Sequence, residues 1–64
     1  MKKTVNFSSA NVPNGAILVT QEKRVITVEI TMTGMKTVVF NLTPAMAREI
    51  EFAFELAAAC AEVS

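Results

Sequence analysis

Sixty-four residues make room for one domain, and a domain this small buries only about 60% of the surface its unfolded chain exposes, so a disulfide, a metal or a partner subunit commonly supplements its core. A single cysteine, Cys60, excludes an intrachain disulfide, and the absence of histidine and aspartate excludes the usual zinc sets, which leaves self-association. A hydrophobic content of 52% with zero formal charge excludes a disordered tail and gives the whole chain no attraction for nucleic acid or anionic membrane.

The first predicted element is a strand over 4–7, where Thr4-Val5-Asn6-Phe7 alternates polar and apolar. Ser8 to Gly15 reads as a loop, because Pro13-Asn14-Gly15 joins a fixed φ to two residues that tolerate positive φ. A second strand is expected over 16–20, followed by the polar break Gln21-Glu22-Lys23-Arg24. Residues 25–32 give the clearest strand, with Ile26, Val28, Ile30 and Met32 on one face and Val25, Thr27, Glu29 and Thr31 on the other. A fourth strand is expected over 35–42, its apolar face carrying Val38, Phe40 and Leu42. Setting Ile30 beside Val38 and Val28 beside Phe40 demands an odd loop around Gly34, and Thr33-Gly34-Met35 with a bulge is the expected form.

Thr43-Pro44 opens a helix expected over 44–62, since the threonine hydroxyl caps an unpaired N–H and proline at the first helical position gives up a donor that had no partner. Its stripe of Met46, Ile50, Ala53, Phe54, Ala57 and Ala61 is the expected contact with the sheet. A second stripe, Phe52, Leu56, Ala59 and Val63, lies on the far flank with no intrachain partner and is the expected dimer or partner interface. The fold class is therefore α+β: a three- to four-stranded antiparallel β-meander with one C-terminal helix packed on one face, as a single domain spanning 1–64.

Chemistry is sparse. Without histidine, aspartate or tyrosine the common hydrolytic constellations cannot be written, so no catalytic residue is assigned and no enzyme activity is expected. Glu51 and Glu55, four apart on a helix, read as a solvated face, because paired catalytic carboxylates must oppose each other across a cleft. Gly15 and Gly34 belong to no glycine-rich phosphate cradle, and no cofactor or metal site is expected. Cys60 reads as a small hydrophobe near the buried side of the last helical turns. Met1-Lys2-Lys3 is followed by a polar, proline-interrupted stretch in place of the apolar core of a signal peptide, and no apolar run approaches the ~20 residues of a membrane span, so a cytoplasmic location is expected.

Charge is divided along the chain. Residues 1–42 carry Lys2, Lys3, Lys23, Arg24 and Lys36 against Glu22 and Glu29, a net +3; residues 43–64 carry Arg48 against Glu49, Glu51, Glu55 and Glu62, a net −3. The outer sheet face, with Leu18, Val25 and Val39 among threonines, is a further expected contact surface. In element order the chain resembles single-strand-binding transcriptional coactivators and Whirly-type proteins, a resemblance that implies binding of single-stranded nucleic acid, with Lys23, Arg24 and Lys36 as the phosphate contacts. Such binders combine a basic groove with aromatic platforms, whereas the four phenylalanines here stand at apolar-phase positions and tryptophan and tyrosine are absent. In size and lack of chemistry the chain resembles the small accessory proteins of phages and mobile elements. The function expected is thus a homodimeric, non-enzymatic protein-binding module whose target is a protein; single-stranded nucleic-acid binding is the alternative.

Overall fold

In a computed structural model, which describes residues 1–63 with the side chains of Ser9, Val12 and Pro13 left aside, four antiparallel strands form one open sheet in the order β1-β2-β3-β4. The strands are β1 (Lys2–Ser9), β2 (Val12–Glu22), β3 (Val25–Met32) and β4 (Val38–Leu42), and one helix, α1 (Pro44–Glu62), follows. The α+β meander expected from the alternation is the fold observed.

The first hairpin is longer than the sequence suggests. Pairing runs from Lys2↔Thr20 to Ser9↔Val12, so most of the expected 8–15 loop is strand, and only Ala10 and Asn11 make the turn. A register shift between Phe7 and Ser9 sets Pro13 and Asn14 opposite Ser8, a β-bulge. Proline is tolerated at a bulge, and Pro13 also stands beyond Gly15↔Met32, the last pair of the β2–β3 ladder, where its missing donor removes no bond. Gly15 is needed for space, not for a turn. A Cβ there would collide with the Thr31 carbonyl oxygen and stand 2.5 Å from Cζ of Phe7, its cross-strand partner.

Strands β2 and β3 pair from Glu22↔Val25 inward, leaving a two-residue turn at Lys23-Arg24 in which Lys23 has φ +56° and the Gln21 side-chain amide donates to the Lys23 carbonyl at 2.8 Å. At the other end of β3 the expected parity holds: Ile30 pairs with Val38 and Val28 with Phe40. The connection is five residues, 33–37, and therefore longer than a Thr33-Gly34-Met35 loop, and β4 begins at Val38 where a start at 35 was expected. The reason is a turn in which the Met35 N–H donates to the Met32 carbonyl at 3.0 Å with Gly34 at φ +79°, the third-position geometry of a type II turn.

The helix begins as the Thr43-Pro44 pair predicts. Thr43 has extended backbone angles, its hydroxyl accepts the Met46 N–H at 3.2 Å, and Pro44 takes the first turn. The expected packing stripe reaches the sheet only in part. Ala47, Ile50 and Glu51 line an open groove against Val19, Ile26, Val28 and Leu42, while Phe54 is 73% exposed and no helical residue is buried. Beyond its first two turns the helix leaves the sheet. Among the described residues the core is therefore one side chain deep, Val28 at 9% exposure. The molecule measures 37 × 31 × 16 Å, and its radius of gyration of 13.4 Å exceeds the ~11 Å usual for 64 residues.

Candidate interaction surfaces

Side chains alternate across a sheet, so the register assigns every strand residue to a face. The inner face, toward the start of α1, carries Val5 and Phe7 from β1, Ile17 and Val19 from β2, Ile26, Val28, Ile30 and Met32 from β3, and Val38, Phe40 and Leu42 from β4. Little of it is covered. The helix comes close to β3 and β4 and meets β2 only across the open grooves at Val19 and Gln21, and Val5, Val38 and Phe40 all fall among the exposed apolar residues. Sequence reasoning missed this face because it assigned it wholly to the helix. A dimensional argument reveals it: one helix is about 10–12 Å across, strands are about 4.8 Å apart, and a four-stranded sheet is wider than one helix can roof.

The second helical stripe is uncovered as well. Phe52 is 66% exposed, Leu56 55% and Val63 87%, and Ala59 is also exposed. At 100° per residue these four stand roughly opposite Pro44, Ala47 and Glu51, the side turned to the chain's own sheet. Cys60, expected near the buried side, is exposed, because the helix has left the sheet before that turn.

The outer face is less apolar than the sequence implies. Leu18, Glu29 and Val39 form one cross-strand row, but Val25 stands beside Glu22 at the hairpin end, with the polar row Thr20, Thr27, Asn41 between. Hydrogen bonds run across this face: the Thr27 hydroxyl donates to Asn41 Oδ1 at 2.9 Å, and the hydroxyls of Thr31 and Thr37 lie 3.3 Å apart. The residues Leu18, Val25 and Val39 thus share a face without forming one patch.

The candidate phosphate contacts are divided by the fold. Lys23 and Arg24 occupy the β2–β3 turn, where they line an open cleft of about 330 Å³ together with Arg48 and Glu51 of α1. Lys2 and Lys3, paired with Thr20 and Val19, stand near the same end. Lys36 lies in the β3–β4 loop at the opposite end of the sheet. Among the described residues the one ion pair is Arg48–Glu51 at 3.3 Å, within the helix, so no carboxylate of the acidic helix is paired with a cation of the basic sheet. No group of three or more acidic or cysteine side chains comes together among the described residues, and no helix there is long and apolar enough to cross a membrane.

No family model matches the chain, and no curated protein and no solved structure matches it either.

Proposed function

We propose that the chain is a cytoplasmic, homodimeric and non-enzymatic protein-binding module, an accessory or regulatory protein of the kind that phages and mobile elements use to inhibit a host enzyme or defence complex. One observation carries the dimer and the binding role: the single chain exposes 5419 Å², where a folded 6.9 kDa monomer exposes about 4,000 Å². The excess of about 1,400 Å² per chain falls within the range of obligate homodimer interfaces, which bury about 2,000–5,000 Å² in total. Much of what is exposed is apolar, in Val5, Val38, Phe52, Phe54 and Leu56. The lack of histidine, aspartate and tyrosine supports a role without chemistry. Leu18 and Val39, on the face turned away from the helix, are the contacts proposed for the target protein.

Light scattering after size exclusion tests the dimer. The unmodified protein is expected at twice the 6.9 kDa chain mass, and Phe52→Glu with Leu56→Glu at the monomer mass with lower thermal stability. A stable monomer at micromolar concentration for the unmodified chain overturns the reading.

A second reading, single-stranded nucleic-acid binding, is favoured by the collection of Lys2, Lys3, Lys23, Arg24 and Arg48 toward one end of the molecule. Against it, Phe7 belongs to the opposite end, paired with Gly15, and no aromatic residue is among those lining the cleft at Lys23, Arg24 and Arg48. Submicromolar binding of a fluorescent single-stranded oligonucleotide, steeply salt-dependent and lost in Lys23→Glu with Arg24→Glu, would establish this reading in place of the first.

A further inference from the structure

From the uncovered half of the inner sheet face we infer that its occupant is the helix of a second copy, so that two chains dock reciprocally, each laying α1 across β1 and β2 of the other. The inference rests on the homodimer reading and specifies its geometry.

Three observations carry it. The first is the vacancy: a chain's own helix comes close to β3 and β4 and meets β2 only across the open grooves at Val19 and Gln21, which leaves an apolar strip on β1 and β2 that includes Val5, 51% exposed, and the half-buried Ile17. Two strands with their side chains span about 10 Å, the width of one helix. The second is the direction of the helical stripes. Ala47 and Glu51 face the chain's own sheet, and Phe52, Leu56 and Val63 face roughly the other way, so a helix held between two sheets presents an apolar surface to each. A back-to-back contact of helix on helix would bury the same stripe but leave Val5 and Ile17 in water, and so would account for less of the excess surface.

The third is charge. Residues 1–42 are net +3 and residues 43–64 net −3, yet within one chain no ion pair joins sheet to helix among the described residues. Lys3 shares the inner face with Val5, and Glu49 flanks the Phe52 stripe on the helix. Reciprocal docking sets these opposite charges at the rim of the same contact, twice per dimer.

Cross-linking separates this arrangement from its competitors. In a Cys60→Ser background, Val5→Cys and Leu56→Cys are prepared separately, checked for fold by circular dichroism, mixed under denaturing conditions, refolded together and oxidised. Reciprocal docking predicts a disulfide-linked dimer in the mixture and little from either variant alone. Cross-linking of Leu56→Cys with itself, and none to Val5→Cys, would overturn the geometry while leaving the homodimer intact; a monomeric parent by light scattering would overturn both. Should a cysteine variant fail to fold, the unmodified protein decides. In a sample mixing isotope-labelled and unlabelled copies, methyl contacts between Leu56 of one copy and Val5 or Ile17 of the other are expected, and a dimer with none contradicts the docking.

Discussion

The sheet and the helix are held by different means. In the sheet each strand is tied to its neighbour over five to eight residue pairs, and Val28, at the centre of β3, is buried between the paired residues Val19 and Phe40. The helix has a cap at Thr43, a proline start and two turns near β3 and β4, and then about 17 Å of largely apolar sequence, interrupted by Glu55 and Glu62, that stands exposed, at about 1.5 Å per residue beyond Glu51. In proteins most of a helix's stability comes from packing an amphipathic face rather than from propensity. The contrast teaches that the sheet is specified within one chain, whereas the outer part of the helix is left exposed by it; on the proposed homodimer, exposure in a single copy underestimates how much a helical residue matters.

The sharpest break in the sheet is expected at Gly15. Gly15→Ala forces a Cβ against the Thr31 carbonyl, a backbone atom that cannot swing aside, and against the Phe7 ring; a loss of about 3 kcal/mol is expected in urea unfolding. No measurable loss would show that β1 does not pair as described.

Next is a matched pair that tests the contrast itself. Val28→Ala removes buried methyl groups and should lose about 2 kcal/mol. Phe52→Ala, at a position 66% exposed in one chain, should lose at least as much under conditions where the protein is dimeric. If the second loss is within about 0.5 kcal/mol of zero, as for an ordinary surface position, the helix has no partner. On the outer face Thr27→Ala removes one exposed hydrogen bond to Asn41 and should lose only about 0.5 kcal/mol. An effect of similar size has the opposite sign: Lys23 holds φ +56°, which glycine adopts more readily, so Lys23→Gly should raise stability by about 0.5 kcal/mol. A loss on that substitution would mean that the turn tolerates lysine for a reason other than backbone angle.

How much of this was legible in the sequence depended on whether the signal was local. Strict alternation from Ile26 to Met32, the parity that pairs Ile30 with Val38, and the Thr43-Pro44 start all act over a few residues, and each was found where expected. The first hairpin was misjudged because Pro13-Asn14-Gly15 carries turn chemistry, while in the fold a bulge accommodates the proline and the Phe7 ring requires the glycine. The packing of the helix was overstated because periodicity identifies apolar stripes without saying how far a helix follows its sheet. Both stripes were visible in the sequence, and the second was expected to lack an intrachain partner; only the three-dimensional arrangement shows Phe54, Val5 and Val38 uncovered as well. The basic cluster was missed in part for the same reason, since Arg48 joins Lys23 and Arg24 only across the fold.

The dependence of urea unfolding on protein concentration, followed by far-UV circular dichroism, asks most directly whether folding and association are one process. If the exposed apolar surface is covered by a second copy, the midpoint rises with concentration, each tenfold increase adding about 1.4 kcal/mol to the apparent stability of the dimer, and helix and sheet signals are lost together. A midpoint independent of concentration over a hundredfold range would contradict it, because a chain that unfolds as a monomer must hold its helix without a partner.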